Sequence, residues 1–145
     1  MFVYDDLNRL VRKTLPAVDE LNDPNAARPT VKSPQYRYEY DNEGNLIHEI
    51  SSLGTVITHE YDEMNREIRI TTSFTLKDGV KRTTVTKNFY DLAGNKIEVV
   101  DANGKSAKFT YTARDWLKAK TDPNSGVTSF TYDLVGNKIS DRPAR

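Results

Sequence analysis

Residues 86–111 read TKNFYDLAGNKIEVVDANGKSAKFTY, and this stretch decides the fold. In NKIEVV, Ile97 and Val99 fall on one face of an extended strand, with Lys96 and Glu98 on the other. In AKFTY, Phe109 and Tyr111 share a face and Lys108 and Thr110 oppose them. Between the two strands lies Asp101-Ala102-Asn103-Gly104. Asn-Gly between alternating strands predicts a hairpin with a type I′ turn, which needs positive φ at both central residues. The preceding link, residues 91–95, predicts another turn. Asp91 caps it through the backbone and Gly94 supplies positive φ. An amphipathic helix fails here on both period and turn density.

The same unit recurs along the chain. YDLAGNKI at 90–97 returns as YDLVGNKI at 132–139, with YDNEGNLI at 40–47 and YDEMNREI at 61–68. YTARDWLK at 111–118 and YDDLNRLV at 4–11 are decayed copies. The leading tyrosines, Tyr4, Tyr40, Tyr61, Tyr90, Tyr111 and Tyr132, are spaced 36, 21, 29, 21 and 21 residues apart, so the unit is 21 residues. Each unit holds two strands and two turns. Gly44, Gly94 and Gly136 mark the first turn, and Gly54, Gly79, Gly104 and Gly126 mark the second, which assigns all seven glycines. The long spacing before Tyr90 predicts an extended hairpin turned at residues 77–80. The spacing before Tyr40 holds four of the six prolines. Proline removes ladder donors, so residues 13–34 are expected to form a loop, with one short helical turn near 17–22.

Composition narrows the function. The chain of 145 residues has no cysteine, which removes disulfides and Cys-based zinc sites. Lysine plus arginine equals aspartate plus glutamate at 21 each, so no global basic field draws in nucleic acid. No apolar run approaches spanning length, and no membrane insertion is expected. Hydrophobic content is 37%, low for a thick core and sufficient for a thin, solvated sheet.

Chemistry-bearing constellations are sparse. His48 and His59 are the only histidines and read as ordinary strand residues. Asp41 and Asp101 begin turn sequences that lack the closing glutamate of a calcium loop, since the twelfth positions are Ser52 and Thr112. No nucleophile–base motif is present, and neither catalysis nor a cofactor or metal is expected. Trp116, the single tryptophan, either packs over a strand pair or stacks on a sugar ring. Tyr36 and Tyr38, on one strand face with Tyr40, carry the same two readings.

The Tyr-Asp-x-x-Gly-Asn pattern resembles the YD repeat of the Rhs family. That family includes bacterial Rhs polymorphic toxins, wall-associated proteins, toxin-complex C components and teneurins. The resemblance covers residues 36–141 and, partially, 1–12. It rests on Tyr40, Asp41 and Gly44; Tyr61 and Asp62; Tyr90, Asp91 and Gly94; Tyr111; and Tyr132, Asp133 and Gly136. It implies an all-β fold of tandem antiparallel hairpins, part of a shell that encloses a C-terminal toxin or effector in a secreted or surface-displayed protein. The family's core segment, which closes the shell and self-cleaves in many members, has no recognisable counterpart. Both ends fall within a unit, so the expectation is one YD-repeat domain over 1–145 (partial repeat 1–12, proline-rich loop 13–34, repeats 35–145) cut from a larger protein. Such a piece should be an open curved sheet that self-associates through its edges or apolar face. Its other expected partners are adjacent repeats and an effector. A carbohydrate- or protein-binding surface is the alternative.

Overall fold

The computed structural model describes residues 1–16 and 33–143. The expected helical turn near 17–22 lies outside them. Among the described residues twelve strands occur in order: β1 (Phe2–Tyr4), β2 (Leu10–Thr14), β3 (Gln35–Tyr40), β4 (Leu46–Ile50), β5 (Val56–Tyr61), β6 (Glu67–Thr75), β7 (Lys81–Tyr90), β8 (Lys96–Val100), β9 (Ser106–Tyr111), β10 (Leu117–Thr121), β11 (Val127–Tyr132) and β12 (Lys138–Arg142). They form one open sheet in chain order, each strand beside its sequence neighbours. Residues 13 and 14, expected in the proline-rich loop, complete β2. The anomalous hairpin carries the two longest strands, β6 with nine residues and β7 with ten.

The chain groups into two compact units. One comprises Met1–Arg66 and Thr71–Thr84, the other Glu67–Ile70 and Val85–Arg145. In the first, Tyr38 pairs with Glu49 and Glu49 with Ile57, which places these three on one face. In the second, Val99 pairs with Ala107 and Glu98 with Lys108. Phe109 and Tyr111 therefore share the Ile97–Val99 face, as their alternation predicts. Among the described residues no hydrophobic side chain is fully buried, and Asn88 is the sole buried polar one. A single layer has no core, so ladder hydrogen bonds, cross-strand pairs and turns carry its stability.

The turns differ from the type I′ expectation. In each of ten turns the first residue's N–H donates to the carbonyl four residues on, at 2.8–3.0 Å. Its carbonyl accepts from the residue three on, at 2.9–3.2 Å. Positive φ occurs once per turn, at that third residue. This matches a three-residue loop, a type I turn closed by a left-handed residue. In 101–105 only Gly104 has positive φ, at 76°, so Asn103 stays in the ordinary region. Gly126 lies in its expected turn but not at the left-handed position. Ser125 takes the left-handed position, at φ 68°, and Gly126 follows it. A Cβ there would press on the Asp122 carboxylate, which would have to shift, as its counterpart does beside Asn95 or Lys105 at the same place in other turns. Finally, β12 pairs with Val127–Tyr132 from Ser129 to Tyr132.

Candidate functional site

The repeated Tyr-Asp corner is where the motif side chains converge. Tyrosine ends one strand and opposes the residue six positions later, as in Tyr40 with Leu46, Tyr90 with Lys96 and Tyr132 with Lys138. The register shifts at that point in each of these pairs. A bulge disturbs the ladder and leaves backbone groups needing other partners. The phenol of the next unit supplies a donor there. Tyr40 Oη donates to the Leu10 carbonyl (2.9 Å), Tyr61 to Leu46 (2.9 Å) and Tyr90 to Glu67 (3.0 Å). Tyr111 donates to Lys96 and Tyr132 to Leu117, both at 2.9 Å. In all five cases the acceptor lies six residues after the preceding motif tyrosine. In the second unit, Asn88 Nδ2 also donates to Glu67, at 2.9 Å.

Aspartate holds the turn that follows. Asp62 Oδ1 accepts from the backbone N–H of Met64 and Arg66, both at 3.0 Å. Asp133 Oδ1 accepts from Val135 (3.0 Å) and Asn137 (2.8 Å). The second oxygen accepts from the side chain four residues on, for example Asn137 Nδ2 at 2.8 Å or Arg66 Nε at 2.7 Å. These donors favour the ionised form and lower the carboxyl pKa. In Asp41 and Asp133 the Asn45 and Asn137 side chains act most strongly, and in Asp5 and Asp62 the Arg9 and Arg66 amides do. In Asp91 desolvation is the largest single effect and pushes upward, but the bonds from Asn95, Ala93 and Gly94 together outweigh it. For Tyr111, desolvation first and the nearby Asp91 charge second raise the phenol pKa.

Side chains that hold one turn also reach the next. Asn45 Nδ2 donates to Asn65 Oδ1 and Asn95 Nδ2 to Asp115 Oδ1, each at 2.8 Å. Arg9 Nη1 reaches the Asp41 carbonyl at 3.3 Å. These acceptors, and the donor following the motif glycine, escape a reading of one unit alone. The signal was the almost invariably polar donor at that position: Arg9, Asn45, Arg66, Asn95 and Asn137.

Trp116 occupies that position in the decayed unit and is half-buried. It lies 5.4 Å from Tyr132, centroid to centroid, with the Arg114 guanidinium 5.3 Å away on its ring. A Cβ on Gly136 would approach Trp116 Cζ2 at 2.9 Å, so the indole packs directly on the next turn. Tyr36 and Tyr38 alternate with exposed Gln35, Arg37 and Glu39 along β3. Desolvation, followed by the Glu49 charge, raises the Tyr38 pKa. The structure gives Tyr36 and Tyr38 to one compact unit and Trp116 to the other. The histidines each face a glutamate, with His48 Nδ1 2.9 Å from Glu39 Oε2 and His59 Nε2 3.4 Å from Glu49 Oε1. No group of three or more metal-ligating side chains occurs among the described residues. The corner binds backbone to backbone, and its chemistry is geometric.

The RHS Repeat family model matches residues 40–75 and 90–125. No curated protein sequence matches the chain. The fold is similar to parts of the solved TcdB2-TccC3-Cdc42 crystal structure, with TM-score 0.72 and 15% identity over 97% of this chain. A second match, to a variant of the Photorhabdus luminescens Tc holotoxin pore, has TM-score 0.69 and 17% identity over 94% of this chain. This chain spans 7% of the length of each. The two matched stretches are RHS repeats, and through them the chain belongs to the Rhs/YD-repeat family.

Proposed function

We propose that the chain is a length of structural scaffold in an Rhs-type shell, within a secreted or surface-displayed protein that encloses a C-terminal effector. One observation carries this reading. The motif side chains are spent on neighbouring backbone, and the phenol–carbonyl link repeats five times. Such an arrangement propagates a sheet from repeat to repeat, and each unit is stabilised by its neighbours. The test is limited proteolysis of the full coding sequence in which these repeats sit. The sequence C-terminal to the repeats should resist protease at concentrations that digest the same sequence expressed alone. Equal digestion in both settings would remove the enclosing role. Specific glycan binding by the repeats would instead favour a recognition module.

A further inference from the structure

Two clefts occupy equivalent places in the repeat and carry opposite chemistry. Each lies between successive Tyr-Asp corners, one within residues 41–65 and the other within 112–134. Aligned on Tyr61 and Tyr132, Glu43 of the first corresponds to Arg114 of the second, Ile47 to Lys118 and His59 to Phe130. The corners 41–45 and 112–116 close with the same backbone bonds, so the fold requires neither set of side chains. The cleft within 112–134 is no product of a free sheet edge, since β10 and β11 are each paired on both sides. Leu134, which lines it, is 86% exposed. Leu92 holds the same place in a corner that another unit follows, and it is fully exposed too, so a following unit leaves this position open.

This cleft has a volume of about 510 Å³, the size of a small-molecule site. Trp116, Phe130 and Tyr132 give it an aromatic lining. Its cations are Arg114 and Lys118. Arg114 Nη1 donates to the Leu134 carbonyl, which fixes the guanidinium against the indole. Among the described residues no carboxylate pairs with Arg114 or Lys118, whereas Arg9 and Arg66 each bind an aspartate at 2.7 Å. The carboxylate within the cleft, Asp133, is spent on the Val135 and Asn137 amides and the Asn137 side chain. A third cation, Lys138, lies 5.7 Å from the Phe130 ring and is itself paired with Asp141.

We propose that the cleft within 112–134 binds a planar aromatic anion, with its ring against Trp116 and Phe130 and its oxyanion held by Arg114 and Lys118. Each part of such a ligand answers a part of the cleft. Indole and phenyl surfaces favour another aromatic ring. Two cations without a carboxylate favour an anion, and the planar fork of a guanidinium matches carboxylate or phosphate oxygens. A neutral sugar would stack on Trp116 and leave both charges unanswered. The equivalent cleft presents Glu43, Glu60 and Glu63 and would repel the same ligand. The site uses side chains outside the repeat motif, apart from Tyr132, and stands apart from the enclosing role.

Trp116 is the only tryptophan, so its fluorescence reports on the cleft directly. Phenyl phosphate should change that emission saturably. Inorganic phosphate and benzyl alcohol, which each carry one half of the ligand, should need roughly tenfold higher concentration or more, because each forgoes one set of contacts. A response to either control as strong as to phenyl phosphate would overturn the proposal, as would no saturable response to phenyl phosphate. Saturable change with maltotriose and none with phenyl phosphate would assign the cleft to sugars instead. Lys118→Gln should weaken phenyl phosphate binding roughly tenfold, the effect of losing a charge-assisted contact, and leave the denaturation midpoint unchanged. Lys105→Gln removes the same charge in the turn at the other end of β9 and should leave binding unchanged. Equal weakening by the two substitutions would mean general charge attraction and overturn the site.

Discussion

Two corners of the second unit, 91–95 and 112–116, have the same backbone and different side chains. The first-to-fifth and fourth-to-first bonds measure 2.9 and 3.1 Å in one and 2.8 and 3.0 Å in the other. Gly94 holds the left-handed position at φ 92°, and Asp115 holds it at φ 59°. Asp91 grips the Asn95 amide at 2.8 Å, whereas Thr112 Oγ1 accepts from Trp116 at 3.2 Å. Asn95 reaches the next turn by a hydrogen bond, and Trp116 does so by packing on Gly136. The comparison teaches that the corner is specified by redundant devices. A tyrosine anchor and one tolerant left-handed residue preserve the geometry after the aspartate and glycine are lost.

The largest expected effect lies where the decayed corner leans on its neighbour. Gly136→Ala meets both an unfavourable φ of 94° and the indole, and should cost about 2–4 kcal/mol in chemical denaturation. Gly94→Ala has open space and only the backbone penalty, about 1–2 kcal/mol. In a Trp116→Ala background the two alanine substitutions should become alike. If they remain different, packing is not the source of the difference.

Next comes the carboxylate. Asp91→Ala should lower the melting temperature more than Thr112→Ala, because ionised acceptors form stronger bonds. The pH dependence has a definite sign. The folded pKa of Asp91 lies below its ordinary value of 3.8. Its stabilisation is therefore fully present above the unfolded value and is lost as pH falls through the lowered folded value. Melting curves from pH 5 down to pH 2 should fall less steeply in Asp91→Asn, whereas Thr112→Val should leave the slope unchanged.

The smallest effects come from the left-handed residues themselves. Ser125→Gly relieves an αL penalty and incurs backbone entropy, for a net gain of about 0.5 kcal/mol. Asp115→Gly should gain less, because it also removes the Asn95 partner. Equal gains would mean that the turn-to-turn bond contributes nothing.

Strand positions, facing residues and the Tyr-Asp corner were legible from alternation and repetition. Turn type was not, because Asn-Gly suits a type I′ loop and equally suits the last two positions of the loop observed. Only the spacing of the closing hydrogen bond separates the two. Gly126 marked its turn correctly, but which residue of Ser125-Gly126 takes positive φ was not legible from composition. Counting three residues from Asp122, as in every other turn, would have selected serine. The phenol acceptors were hidden for another reason. Leu10 and Tyr40 are 30 residues apart, and only the pairing of neighbouring units brings them together. Side-chain identity at Leu10, Leu46 and Glu67 gives no clue, since the acceptor is backbone.

The phenol–carbonyl link can be isolated by comparing Tyr111→Phe with Tyr4→Phe in dilute, monomeric chain. Both remove one hydroxyl from the same motif position. Tyr111 has its acceptor at Lys96, and Tyr4 has none among the described residues. Equilibrium denaturation should show Tyr111→Phe losing about 1 kcal/mol and Tyr4→Phe unchanged. Equal losses in the two variants, or none in either, would mean that the repeated hydroxyl does not hold unit to unit.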